Sequence, residues 1–206
     1  MSPSQSVVFI TLEPFILASA SPRRSELLHS VGLVFEVAPS QAEEHGVQGE
    51  SPGLAALRWA RQKAKMVSDR YPNGWVLAAD TIVVLGDRIL GKPRDPREAA
   101  IMLAELSGCV HDVITGICLL RADRNFERAE AVRTQVRFKR LTRSEIDAYV
   151  LTGEPLDKAG AYGIQGMGSF MVESICGSYT NVVGLPLCMT LSWLLEQQVI
   201  APRSSF

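Results

Sequence analysis

No Cys-x-x-Cys pair, no His-Glu-x-x-His and no G-x-G-x-x-G occur in this 206-residue chain, and neither sign of charge is in excess. Three scattered histidines exclude zinc spacing. The four cysteines (Cys109, Cys118, Cys176, Cys188) stand far apart in apolar settings, which predicts reduced core thiols rather than disulfides or a catalytic nucleophile. Lys plus Arg total 21 against 22 Asp plus Glu, a net charge of −1. That excludes a chain that coats nucleic acid or an anionic membrane, so any anion site must be a local concentration of charge on a neutral body. No apolar run approaches the ~18–20 residues of a membrane span. The stretch "VVFITLEPFILASA" ends like a signal-peptide cleavage site at Ala18-Ser19-Ala20. However, no Lys or Arg precedes it and Glu13-Pro14 divides it, so the expectation is a cytoplasmic protein.

What is present is the composition of an ordinary soluble globular protein, with strand and helix patterns in alternation. Phe15–Ser19 and Leu33–Val37 read as short strands around a helix from Pro22 to about Val31. A helix capped by Ser51 runs from Pro52 to about Arg70. "WVLAADTIVVL" is apolar on both faces, as in a central strand covered on both sides. Gly86-Asp87 turns the chain into Arg88–Leu90. Asp95, Pro96 and Glu98 open a helix with a capping box, as do Thr142 and Glu145, the latter with a Leu141–Ile146 staple. Val110–Arg121 and Arg128–Arg140 read as two long strands. Residues 153–184 hold seven of the sixteen glycines and read as loop, and Gly184-Leu185-Pro186 opens a last helix to about Val199. The order predicts an α/β fold with a mixed sheet: an N-terminal extension over residues 1–14 and a single domain over 15–200.

Six places stand out against the local rules. In "SASPRRSELL", Arg23 and Arg24 stand in the first turn of a helix whose macrodipole already makes that end positive, unfavourable by roughly 0.3–1 kcal/mol each. One reading is a solvated helix start paired with acidic neighbours. The other is a polyanion cradle of helix N–H groups, the Ser19 and Ser21 hydroxyls and two guanidinium forks. Lys63 lies on the stripe Ala56, Ala60, Lys63, Val67, the buried side of its helix, while Arg58, Gln62, Lys65 and Asp69 form the polar face. It either snorkels past the core edge or points into a cleft. Asp80 interrupts an otherwise apolar run and, with Thr81, is its polar break; a buried carboxylate needs a metal, a cation or a strand's C-terminal edge. "GDRILGKP" fits G-x-x-x-x-G-K but has Pro93 in place of Ser or Thr, so no Walker loop is expected, although Lys92 could still reach a phosphate. Glu43-Glu44 is a solvated pair unless the fold brings it to Asp80, where two carboxylates suit Mg²⁺ or Mn²⁺. In "LDKAGAYGIQGMG" the glycines permit close approach of a flat ligand and Gln165 offers an amide to a base edge, or the segment is only a loop.

In their order along the chain, "LASASPRRSELL", "AADTIVVLGDRILGKPRD", "AAIMLAELSG", "EPLDKAGAYGIQG" and "GSYTNVVGLPL" resemble the Maf nucleotide pyrophosphatases, historically called septum-formation inhibitors. The similarity spans about residues 15–195 and shows no departure at a catalytic position. It implies a mixed central sheet flanked by helices, two lobes around a deep cleft, related to inosine triphosphate pyrophosphatases. It also implies divalent-metal-dependent cleavage of a nucleoside triphosphate to monophosphate and pyrophosphate. Asp80 falls on the family's catalytic aspartate, Arg23, Lys63 and Lys92 on residues facing the phosphates, and Glu44 on a glutamate of the same site. Thr81 and Gln165 fall on positions tied to base selectivity. Threonine after the aspartate, with "SPRR", resembles the branch acting on dTTP and UTP rather than on 7-methyl-GTP. The metal-holding pair on this reading is Glu44 and Asp80, with Asp80 as base or as ligand. A homodimer is compatible with the family. The rival functions are a non-catalytic nucleotide-binding regulator of cell division and a nucleotidyltransferase.

Overall fold

The eleven residues Trp75–Leu85 form the strand around which everything else is laid out. The structure is a computed structural model that describes residues 7–42, 47 and 49–203. In chain order the strands are β1 (Phe9–Thr11), β2 (Phe15–Leu17), β3 (Glu36–Val37), β4 (Trp75–Leu85), β5 (Arg88–Leu90), β6 (Val110–Arg121), β7 (Phe126–Phe138), β8 (Val172–Cys176) and β9 (Ile200–Pro202). The helices are α1 (Pro22–Ser30), α2 (Pro52–Ser68), α3 (Pro96–Leu106), α4 (Arg143–Leu151), α5 (Tyr179–Val183) and α6 (Leu187–Glu196). Among the described residues seven strands form one mixed sheet, ordered β3-β2-β4-β6-β7-β8 with β5 also on β4. β2 lies parallel to both β3 and β4, and the other pairs are antiparallel.

One edge of β4 pairs with β6 continuously from Val76 to Val84. The opposite edge is shared: β2 takes Trp75–Leu77 and β5 takes Val83–Leu85. Between them, no described strand covers residues 78–82. The cores divide at the same place. On one face Trp75, Leu77 and Ala79 join a core with Leu28, Trp193 and Leu194, whereas Val83 joins another with Leu103, Phe138 and Tyr149. On the other face Val76 and Ala78 pack with Ala60 and Ala64, whereas Ile82 and Val84 pack with Ala56 and Trp59. Asp80 and Thr81 are the residues left between these clusters, one on each face. Each fully buried Leu or Val contributes about 1.5–3 kcal/mol. The polar break in the apolar run is therefore where the molecule parts into two lobes.

α2 crosses both clusters on the Asp80 face. It can lie that close because Gly116, the cross-strand partner of Asp80, has no side chain: a Cβ there would sit 2.2 Å from the Ala56 carbonyl oxygen. The Gly86-Asp87 hairpin is present, with Gly86 at φ +61°, so the G-x-x-x-x-G-K stretch leads along β5 and not into a helix.

Several local expectations change. Ser21 and Ser51 hold the N-cap positions of α1 and α2, but neither hydroxyl makes a capping bond. Asp95 caps α3 through Glu98 N at 2.8 Å. The Glu98 carboxylate returns instead to Arg94 N at 2.6 Å, where the Arg94 guanidinium also holds it, so the box does not close on Asp95. The Thr142–Glu145 box of α4 is complete, with Leu141 and Ile146 in one core. The glycine-rich stretch contains β8, α5 and three 3₁₀ turns (Glu154–Asp157, Ala159–Ala161, Met167–Met171) that its composition concealed. Within the stretch read as an N-terminal extension, β1 pairs antiparallel with β9 and Phe9 packs on the first core. Of the cysteines only Cys118 is a core residue; Cys176 and Cys188 are exposed, because the edge strand β8 and the outer side of α6 carry them. Burial pushes the Cys118 thiol up to about 12, far from a nucleophile. Among the described residues no helix is long and apolar enough to cross a membrane.

Candidate functional site

A cavity of about 770 Å³ opens where β4 lacks a partner strand. Ser19, Arg23, Arg24, Lys63, Asp80, Thr81, Lys92 and Gln165 all line it, though they come from six separate elements and loops. Glu44, like Glu43, lies outside the described residues; Ser40 and Ala42, shortly before it, line the same cavity. The site stands at the C-terminal end of the parallel strand β2, where the chain turns into α1. Open α/β sheets gather ligands at such a place, because loop backbone and helix N-termini converge there. The first turn of α1, whose amides Ser21 does not cap, lines this space with Pro22, Arg23 and Arg24.

Asp80 is 4% exposed, and the ammonium of Lys63 donates to its Oδ1. This settles the oddity of a lysine on the buried stripe of α2: its ammonium meets a carboxylate on the strand that the helix covers. Such a pair is poor value as a fastening. Removing each ion from water costs several kcal/mol, and apolar residues of equal volume commonly stabilise as well or better. Its position on the wall of a large cavity makes chemistry the better account.

Arg24 takes a part that its sequence context did not show. It is 9% exposed, and its fork donates from Nε to the Gly184 carbonyl (2.8 Å), from Nη1 to Ser19 Oγ (2.8 Å) and from Nη2 to Thr81 Oγ1 (3.1 Å). The guanidinium thereby ties the end of β2, the middle of β4 and the link between α5 and α6. Thr81 continues the chain to Thr115 Oγ1 (2.9 Å), and Thr115 donates to the Asn181 carbonyl (3.2 Å). Of the two adjacent arginines, Arg24 is built into the frame. Arg23 stays half-exposed at the cavity and pairs with Asp157 at 3.5 Å.

Asp157 and Lys158 were not singled out from sequence, since nothing local places them near α1; both line the cavity from the lobe opposite Arg23. Burial works to raise the Asp157 pKa, but Lys158 and then Arg23 outweigh it and hold the carboxyl below its ordinary value. Lys92 lies exposed at the rim just beyond β5. The wall from residue 159 to Gln165 carries no charged side chain and presents Tyr162, Gly163 and Ile164. The cavity thus has a cationic region with one buried carboxylate and a neutral region suited to a flat heterocycle.

Behind that wall Tyr162 OH is 2.9 Å from His111 Nε2, and His111 is 2% exposed against Phe138. Burial drives the His111 pKa down from 6.5 to about 4, so the folded protein holds it neutral. The unfolded chain takes up that proton near pH 6.5, so this contribution to stability is whole above 6.5 and is lost as the pH falls toward 4, about 3 kcal/mol in total. Urea unfolding at pH 7.5 and 4.5 is expected to show wild-type protein losing about 2–3 kcal/mol more than His111→Phe over that interval. Equal losses would contradict a neutral buried imidazole.

A family model described as Maf-like protein matches residues 14–197. A dTTP/UTP pyrophosphatase of Symbiobacterium thermophilum is 51% identical over 185 residues, covering 90% of this chain and 94% of its own. Its namesake in Geobacter sulfurreducens is 53% identical over 173 residues, covering 84% and 91%. Among solved structures, a HAM1 protein from Coxiella burnetii superposes with a TM-score of 0.50 at 17% identity, over 90% of this chain and 100% of that one, a likeness of fold alone.

Proposed function

The chain belongs to the Maf family, and from that premise we propose that it hydrolyses a pyrimidine nucleoside triphosphate, dTTP or UTP, to the monophosphate and pyrophosphate. The observation that carries the proposal is the buried Lys63–Asp80 pair on the wall of a cavity shared with Arg23 and Lys92. A triphosphate brings several negative charges, and preorganised cations facing it are commonly the largest catalytic contribution to such reactions. Arg23, Lys63 and Lys92 supply them here, supported by the α1 amides. Asp80 orients a water toward the α-phosphorus and receives its proton as the new P–O bond forms. The α–β bridging oxygen departs with pyrophosphate toward the cationic wall. Thr81 and Gln165 face the nucleoside.

The donor set suits a hard divalent cation, since Asp80 offers carboxylate oxygen and the cavity offers no sulfur. Among the described residues no cluster of three His, Cys, Asp or Glu stands ready for a metal. Asp80, with Glu44, would hold Mg²⁺ or Mn²⁺ together with phosphate oxygens and water, and the ion would supply further neutralisation of the triphosphate. A cytoplasmic location, where nucleoside triphosphates are made and used, belongs to the same proposal.

The test is incubation with dTTP, UTP, CTP, GTP and ATP in Mn²⁺ or Mg²⁺, with products separated by ion exchange. Monophosphate plus pyrophosphate from dTTP and UTP, abolished by a chelator, is the expected result. Diphosphate plus phosphate would mean a different bond, and saturable binding without cleavage would favour a nucleotide-sensing regulator.

A further inference from the structure

The neutral wall of the cleft is held from behind by two side chains that do not line the cavity. Tyr149, on α4, is 3% exposed; its hydroxyl donates to Glu154 Oε1 at 2.9 Å and accepts from Gly163 N at 3.2 Å. The Glu154 carboxylate, at the start of a 3₁₀ turn, accepts from Met167 N at 3.0 Å and from Gly168 N at 3.3 Å. The backbone is therefore anchored on both sides of Gln165. Two glycines of this loop face the anchor directly. A Cβ at Gly166 would lie 2.5 Å from Glu154 Oε1, and one at Gly168 would lie 2.7 Å from the Tyr149 hydroxyl. The loop wraps this tightly only because three of its positions have no side chain.

Accepting three donors at once is work for an ionised carboxylate, which has no O–H of its own to turn toward the loop. Burial raises the Glu154 pKa, but the hydrogen bonds from Met167, Tyr149 and Gly168 outweigh it and hold the group ionised. Loops of this composition are mobile unless fastened, and an amide can discriminate one base edge from another only if its backbone is fixed.

We infer that Glu154, together with Tyr149, is a positioning residue that fixes the Gln165 loop over the nucleoside end of the cleft and thereby sets discrimination between nucleobases. This rests on the proposed nucleotide substrate. Glu154 touches neither substrate nor reacting atoms and acts through the loop.

The experiment compares wild type, Glu154→Gln, Gln165→Ala and the double variant, measuring kcat and KM for dTTP and GTP and the melting temperature of each. The amide in Glu154→Gln keeps the volume but turns an N–H₂ toward backbone donors. The expected result is a loss of dTTP-over-GTP preference of about tenfold, the worth of one well-placed hydrogen bond, carried mainly by KM. Gln165→Ala is expected to match it, and the double variant to be no less selective than either single one, since both remove the same contact. Unchanged selectivity with a lowered melting temperature would overturn the inference, leaving Glu154 a plain fastening. Losses that multiply in the double variant would overturn it too. Should Glu154→Gln not fold, Gly166→Ala carries the same expectation: its φ of −100° admits alanine, and the methyl displaces the carboxylate without changing charge. Wild-type protein that cleaves no triphosphate would sink the functional reading instead. The anchor is then judged by the same selectivity ratio in calorimetric binding of the two nucleotides.

Discussion

Asp80→Asn is expected to lower dTTP turnover by roughly 10²–10⁴-fold, the usual contribution of a positioned proton acceptor, while nucleotide binding persists. The amide has the same shape, so the strand and the α2 interface keep their packing, but it takes no proton from water and is a poor ligand for a hard cation. Lys63 donates to Asp80 in the present structure; facing a neutral amide, its ammonium loses the ionic part of that attraction and is drawn more strongly to the phosphates. Affinity for dTTP should therefore hold or rise as kcat falls. Pyrophosphate release and calorimetric titration of dTTP in Mn²⁺ measure the two quantities separately. Full turnover by the variant would remove Asp80 from the reaction. Lost binding together with a collapsed melting temperature would recast the Lys63–Asp80 pair as structural.

Arg24→Lys is expected to be the most destabilising of the conservative changes around the cleft. It keeps the charge and most of the length but replaces a planar fork with a single ammonium. No one nitrogen can reach the Gly184 carbonyl, Ser19 Oγ and Thr81 Oγ1 where Arg24 now meets them with three different nitrogens. Losing about two such bonds from a charged donor amounts to roughly 2–4 kcal/mol. For a chain of this length that is a fall in melting temperature of roughly 5–15 °C. Arg23→Lys, at a half-exposed position paired only loosely with Asp157, is expected to stay within about 0.5 kcal/mol of wild type. Thermal unfolding of the two variants side by side decides the matter. Equal stability would mean that the Arg24 guanidinium serves a polyanion rather than the frame.

The two adjacent arginines show how far residue patterns reach. The conflict with the helix dipole was visible in "SASPRR" because a dipole acts within one turn, but nothing local distinguishes Arg23 from Arg24. Their partners lie 134 and 160 positions away, at Asp157 and Gly184, and only the closed fold brings these near. Asp80 was legible for the opposite reason. A carboxylate inside an eleven-residue apolar strand is costly wherever the strand goes, so the anomaly needs no knowledge of topology. Lys63 fell between these cases: the helical period showed it on the buried face, and the structure supplied its counter-charge. The second lobe was less legible. β8 is a half-exposed edge strand without clean alternation, and α5 is one turn long, too short to show a period. Glu154 was passed over because an acidic residue before a proline reads as an ordinary surface turn until the loop folds back on it.

By itself the sequence determined the succession of elements, the central strand with its polar break, and a short roster of side chains too costly to be there for packing alone. These follow from period, capping and desolvation, which act over a few residues. Only the tertiary structure decided that the break in β4 is a cleft between two cores, and that one arginine braces the frame while its neighbour lines the cavity. The loop over the neutral wall is likewise held by a carboxylate behind it. Those outcomes depend on which distant segments meet, and such meetings are fixed by burial of the whole chain at once.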